Sequence, residues 1–167
     1  MLTIKSNLFH AVLACIDPKE DREPIRGFYI DPLDKFIVGT NGHILLAAPY
    51  EGEHPGGIYE LVKLPRRKVP YDVRIDETMA YGLNNTAAVL TPIDAKYPDW
   101  QRVAKVESTK AAERMSFDPE LLAPIAAALN SACRLEGDGD GRYRVTWLQC
   151  PEIEVQCVLM GVRDRQQ

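Results

Sequence analysis

Short apolar runs separated by turn-forming residues fill most of this chain, and only two stretches have the spacing of a helix. Pro, Asp, Asn and Gly interrupt the runs and favour tight reversals, so neighbouring runs are expected to pair as hairpins. The pattern therefore predicts an α+β fold dominated by antiparallel sheets, with two helices. The 167 residues are enough to bury a core of their own.

The two predicted helices have different boundary signals. The first covers 6–16, where apolar residues recur on one face and Ser6 is the predicted N-cap. The second begins at Asp118, also an N-cap, and runs to about Leu129. Pro124 lies inside the second helix, removes one backbone hydrogen bond and predicts a bend there.

The predicted strands lie between turn signals along the rest of the chain. They cover 2–5, 25–30, 36–38, 44–48, 56–64, 71–75, 79–83, 87–93, 142–148 and 153–162. Asn41-Gly42 suits a turn with positive φ. The glycine- and aspartate-rich segment 136–141 is predicted to be a turn before the last two strands.

Composition excludes several classes of protein. A formal net charge of −4 gives the whole molecule no attraction to nucleic acid, so any DNA contact must come from a local basic patch. No apolar run approaches ~18 residues and the N-terminus lacks a signal-peptide pattern, which predicts no membrane association. The four cysteines lack paired metal-ligand spacing, and we expect reduced thiols in a cytoplasmic protein.

No group of residues has the spacing of a catalytic or metal site. His10, His43 and His54 lack ligand-like spacing, and no glycine-rich phosphate loop precedes a helix. Asp138 and Asp140 resemble part of a calcium loop but lack its other ligands, so a solvated turn is expected. The sequence therefore predicts a protein without enzymatic activity, cofactor or metal.

Three short segments, far apart in sequence, form a further pattern: 40–45, 97–103 and 158–163. Taken singly, they are ordinary: a strand and turn, a loop with buried aromatics, and a core strand. In this order, each of the outer two preceded by a helix, they resemble the peptide-binding groove of the bacterial beta sliding clamps. These clamps are the rings that hold a replicative DNA polymerase on its template.

The resemblance implies a DNA-clamp-like fold condensed by deletion. Residues 1–103 are similar to the middle domain of a clamp without its second helix, and 104–114 form a linker. Residues 115–167 are similar to the closing part of the last clamp domain, with a helix and the final strands. A phage or mobile element is one source that such a condensed clamp suggests.

The resemblance also implies a set of groove residues. The candidates for peptide binding are Ile25, Thr40, Gly42, His43, Ile44, Leu45, Pro98, Arg102, Val103, Val158 and Met160. The apolar members are expected to receive leucine or aromatic anchors of a short peptide, with Thr40, His43 and Arg102 at the polar edge. Two positions depart from the family pattern. Ile44 replaces a basic residue, and Gly161 replaces a proline.

Support for DNA contact is weaker than support for peptide binding. Clamps meet phosphate through Lys and Arg on their helices, and neither predicted helix here contains one. Arg66, Arg67 and Lys68 form the nearest basic cluster, which is also typical of a solvated loop.

The resemblance implies clamp-binding peptides of polymerase or repair proteins as partners. Two helices equal the number in one clamp domain, so a DNA-encircling ring would be a homo-oligomer with several copies of this chain. The sequence leaves three functions open. These are a processivity factor, a decoy or inhibitor that binds clamp-interacting peptides, and a structural protein of clamp fold without a working groove.

Overall fold

The computed structural model describes residues 1–61, 64, 69–106, 116–139, 141–149 and 155–161. Within them the helices are α1 Ser6–Leu13, α2 Trp100–Ala104 and α3 Pro119–Leu129. The strands are β1 Leu2–Lys5, β2 Phe28–Asp31, β3 Phe36–Thr40, β4 Ile44–Pro49, β5 Glu51–Gly52, β6 Gly57–Leu61, β7 Asp72–Ile75, β8 Met79–Tyr81, β9 Ala87–Ile93, β10 Cys133–Gly137, β11 Arg142–Trp147 and β12 Gln156–Met160.

All twelve strands belong to one antiparallel sheet, with the order β10-β11-β12-β4-β3-β2-β6-β9-β8-β7-β1-β5. The late strand β12 pairs with β4 from the first half of the chain. Helices α1 and α3 pack against each other on one side of the sheet. The predicted α+β fold with antiparallel sheet is thus confirmed, and both halves of the chain contribute to one sheet.

Three elements were not predicted. The single turn of α2 is too short to show helical periodicity, and β5 has only two residues. The strand β10 overlaps the segment predicted as a turn, because Glu136 and Gly137 still pair with β11. The observed turn is confined to the few residues between those two strands.

Several predicted boundaries needed correction. Ser6 is not the N-cap of α1, because its Oγ accepts a hydrogen bond from the Tyr71 N–H, with an N–O distance of 3.0 Å. The helix also ends at Leu13, before the predicted limit. The prediction of Asp118 as N-cap of α3 is confirmed: it accepts a 2.9 Å hydrogen bond from the Glu120 N–H.

The sheet buries apolar side chains on both faces. The larger cluster lies between the sheet and helices α1 and α3, on what we call the helix face, and includes Phe9, Phe28 and Ile125. The smaller cluster lies on the opposite face, beneath α2, which we call the α2 face. Its buried members are Ile25, Val38, Leu45, Ala47, Ile58, Tyr97 and Trp100.

The described cysteines are free thiols, and Asp138 is buried. Burial raises the pKa of the Cys15 and Cys157 thiols, and neither these nor Cys133 forms a disulfide. Asp138 is buried and pairs with Arg142, so the predicted solvated turn was wrong at this residue because the ion pair replaces solvent. Asp140 and Cys150 lie outside the described residues.

Among the described ranges, no group of three or more His, Cys, Asp or Glu side chains is placed to hold a metal ion. In the same part of the chain, no helix combines the length and apolar character needed to cross a bilayer.

Candidate functional site

The strand register brings two of the three predicted segments onto the α2 face. Thr40 on β3 is opposite Leu45 on β4, and Leu45 is opposite Val158 on β12. Directly opposed residues of antiparallel strands share one face of the sheet, and neighbouring strands lie about 4.8 Å apart. These three side chains therefore form a row across the junction between the two halves of the chain.

The next residue outward on the α2 face of β12 is Met160. Its N–H donates a 2.8 Å hydrogen bond to the His43 carbonyl, which fixes the β3–β4 turn against β12. The Met160 side chain is 36% exposed and His43 is exposed, whereas Leu45 and Val158 are only 4% and 2% exposed. Met160 is thus the accessible member of this apolar group.

The third predicted segment is anchored to the sheet by a buried carboxylate. The Trp100 Nε1–H donates to Asp31 Oδ2 at 2.9 Å, and Gln101 Nε2 donates to the same oxygen at 3.2 Å. The other Asp31 oxygen accepts the N–H groups of Leu33 and Asp34 in the β2–β3 turn. Asp31 is only 3% exposed, so its hydrogen bonds fix the start of α2 over β2.

Aromatic packing supports the same segment. Tyr97 stacks on Tyr29 with ring centroids 4.8 Å apart, and Trp100 packs against Phe36 at 5.5 Å. Burial raises the pKa of the Tyr97 hydroxyl, so it stays protonated at neutral pH. These contacts place Val103 against the cluster that contains Leu45 and Ile25.

A second hydrogen bond fixes the far end of the segment 97–106. Nη2 of Arg144, on β11, donates to the carbonyl of Val106, which is 1% exposed. Arg144 is opposite Val158 in the register, so it extends the row of Thr40, Leu45 and Val158 by one strand. The structure thus adds Arg144 to the predicted site.

Sequence reasoning missed Arg144 as a site residue, although one signal was present. In β11, Arg142 and Arg144 alternate with Tyr143 and Val145, which predicts that both arginines face away from the core. The position of Arg144 beside Val158 depends on the register between β11 and β12. Nothing in the local sequence specifies that register.

Hydrogen bonds within the β3–β4 turn limit what its polar residues can offer a ligand. Thr40 Oγ1 donates to the Ile44 carbonyl at 2.7 Å and accepts from the Gly42 N–H at 3.0 Å. Asn41 Oδ1 accepts the N–H groups of both His43 and Ile44. The Thr40 hydroxyl hydrogen is therefore already used, and Gly42 supplies the positive φ of 86° that the turn requires.

Ile44 does not share a surface with the other groove candidates. It is 2% exposed and belongs to the helix-face cluster, because side chains alternate along β4 and its neighbour Leu45 points to the α2 face. Ile25 is also nearly buried, at 5% exposure, but within the α2-face cluster. Ile44 is therefore a core residue, while Ile25 lies below the site.

The remaining candidates lie at the edge of the site or outside the described residues. Pro98 and Arg102 are exposed on the 97–106 segment, where the Asp99 side chain accepts the Arg102 N–H at 3.1 Å. The Gly161 N–H donates to the Gly141 carbonyl at 2.7 Å, a hydrogen bond that proline could not make. The basic cluster Arg66, Arg67 and Lys68 lies outside the described residues.

Solved structures provide the comparison for this fold. The beta sliding clamp of Caulobacter crescentus matches with a TM-score of 0.63 at 16% identity, covering 97% of this chain and 65% of that chain. The Helicobacter pylori beta clamp, bound to a DNA ligase peptide, matches with a TM-score of 0.63 at 12% identity, again covering 97% and 65%. This chain has the fold of the bacterial beta sliding clamps.

A third clamp, from Bartonella birtlesii and bound to griselimycin, matches with a TM-score of 0.58 at 17% identity, covering 97% of this chain and 66% of that one. Neither protein-family models nor curated protein sequences match the sequence. The chain spans about two thirds of the length of the clamps it matches. The clamp fold predicted from the three segments is confirmed.

Proposed function

We propose that this clamp-fold protein binds short peptides of replication or repair proteins on the α2 face, at Pro98, Val103 and Met160, above the buried Leu45 and Val158. The observation that carries the proposal is the meeting of three distant chain segments at one place on that face. The Helicobacter pylori clamp, which was bound to a DNA ligase peptide, supports a peptide as the occupant. The proposed role is binding without catalysis.

The proposed peptide carries a glutamine and leucine or aromatic anchors. Accessible apolar surface here comes mainly from Pro98, Val103 and Met160, enough for one or two such side chains. A short flexible peptide loses conformational freedom on binding, so we expect a dissociation constant in the range of about 1 μM or weaker.

We expect Met160→Ala to weaken peptide binding several-fold without unfolding the protein. Met160 is partly exposed at the site, so its truncation removes peptide contact and leaves the sheet intact. Calorimetric titration with a peptide of this class measures the affinity, and thermal unfolding checks the fold. Val89→Ala is the matched control, because Val89 is an exposed apolar residue elsewhere, on β9, and should leave the affinity unchanged.

A titration of the unaltered protein tests the proposal itself. Saturable binding, with NMR shifts at Val103 and Met160, would support it. Absence of heat and of NMR shifts at millimolar peptide would overturn it, and would leave a clamp fold whose α2-face cluster is only packed core.

We expect weak binding to duplex DNA. Helices α1 and α3 contain no Lys or Arg, and the net charge of −4 repels phosphate. The measurement is retention of the protein on circular and on linear duplex DNA over a range of salt concentrations. Tight, salt-sensitive retention on circular DNA alone would contradict this expectation and favour a ring that encircles DNA.

A processivity factor and a decoy would use the same peptide site, but they differ in assembly. A processivity ring would contain several copies of this chain joined head to tail, whereas a decoy acts without encircling DNA. The molar mass in solution, measured by light scattering with and without DNA, separates the two. We favour the binding module because the helices lack basic residues.

A further inference from the structure

We propose that Arg144 makes this site selective for a peptide that carries a carboxylate next to its apolar anchor. This inference rests on the proposed peptide-binding function and names the chemistry of its partner. The carboxylate comes either from an acidic side chain or from the C-terminus of the peptide, and the experiment below distinguishes them.

Arg144 lies at the end of the row that Leu45 and Val158 form on the α2 face. The register places it directly beside Val158, on the side away from Leu45, so the row runs from apolar to basic within one strand spacing of about 4.8 Å. An anchor side chain packed near Val158 and Met160 therefore lies close to the guanidinium. A group at the neighbouring position of the peptide reaches it without crossing exposed apolar surface.

The Arg144 guanidinium has N–H donors that a ligand can use. Arg144 is exposed, and its Nη2 donates to the Val106 carbonyl, which is its one hydrogen bond to the described residues. Among the residues that the structure describes, Arg144 forms no ion pair, although Glu136 on the neighbouring strand β10 is directly opposite it. A guanidinium has five N–H donors in a rigid plane, so the bond to Val106 orients the group and leaves donors for a carboxylate.

Further cationic side chains lie on the same edge of the site as Arg144. Arg102 and Lys105 lie exposed on the 97–106 segment, and neither has an ion-pair partner within the described ranges. Of the acidic side chains on these elements, Asp99 caps α2 and Asp138 pairs with Arg142. Glu136 opposite Arg144 is then one carboxylate against the three cations Arg102, Lys105 and Arg144. A basic edge on a chain with a net charge of −4 thus favours an anionic partner at this place.

The test compares four matched peptides that share a glutamine and the same leucine and phenylalanine anchors. In the first pair, one peptide carries Asp beside the anchor and the other carries Asn, and both have an amidated C-terminus. In the second pair, both peptides carry Asn at that position and end directly after the anchor. One has a free C-terminal carboxylate and the other has an amidated C-terminus. We expect the carboxylate peptide of one pair to bind about tenfold more tightly than its neutral partner, as is typical of a charge-assisted contact. The pair that shows this difference identifies the source of the carboxylate.

Two protein variants assign this preference to Arg144. We expect Arg144→Gln to bind the acidic and neutral peptides equally, with the affinity for the neutral peptide almost unchanged. Arg144→Glu should reverse the preference. Arg134→Gln is the control, because Arg134 is an exposed arginine on β10 that is opposite Thr146 rather than a site residue, and it should keep the preference.

The outcomes separate this inference from the proposed function. Equal binding of acidic and neutral peptides by the unaltered protein overturns the inference and leaves the peptide site intact. Loss of both affinities in Arg144→Gln also overturns it, because Arg144 then acts only by holding Val106. Absence of binding to all four peptides contradicts the proposed function itself.

Discussion

A chain that ends at Val106 will not fold into a native-like structure. Removing the later residues deletes α3 and β12, the direct neighbours of α1 and β4. The helix-face cluster would lose Ile125, Leu129 and Leu159, among others, and β4 would become an unpaired apolar edge. Because the shared apolar area holds both parts together, we expect the whole chain to unfold as one cooperative unit.

The measurement is a comparison of the shortened and full-length chains. We expect the full chain to give dispersed amide NMR signals and one sharp thermal transition. The shortened chain should give poorly dispersed signals and no cooperative transition. Native-like stability and signal dispersion in the shortened chain would show instead that residues 1–106 fold independently.

Trp100→Ala will lower the free energy of unfolding by about 3 kcal/mol and weaken peptide binding tenfold or more. A buried tryptophan leaves a large cavity when truncated. The same change removes the hydrogen bond to Asp31, a buried carboxylate that holds the 97–106 segment over β2. Since Val103 belongs to that segment, the wall of the proposed site moves with it.

Trp147→Ala separates a local effect from general destabilisation. Trp147 is 3% exposed, as is Trp100, but it packs in the helix-face cluster. We expect Trp147→Ala to lower stability comparably and to leave the peptide affinity of the folded fraction unchanged. Urea unfolding and calorimetric titration below the transition measure the two quantities. Equal losses of affinity in both variants would contradict a specific role for the 97–106 segment.

The elements that the sequence predicted well have local signals. Asp118 followed by proline begins α3 because cap and first-turn preferences act within a few residues. The β2–β3 hairpin follows from the turn residues that begin at Asp31. The β3–β4 turn likewise follows from Asn41 and Gly42.

Features that depend on distant partners were harder to predict. Ile44 was expected in the groove by resemblance, but strand alternation turns its side chain toward α1 and α3. The Ser6 hydroxyl satisfied local capping rules, yet it accepts a hydrogen bond from Tyr71, which is distant in sequence. Arg144 joined the site through register alone. In each case tertiary contacts decided between alternatives that local sequence treats as equal.

The pairing of β4 with β12 has a consequence for synthesis on the ribosome. The strand β4 emerges long before β12, so the edge of β4 that faces away from β3 stays unpaired during translation, and residues 44–48 are not yet buried as they are in the folded chain. Such an edge is prone to intermolecular pairing and to capture by chaperones. Val158 and Met160 arrive only with β12, so a nascent or prematurely terminated chain would lack part of the proposed peptide site and would not compete for the proposed partners.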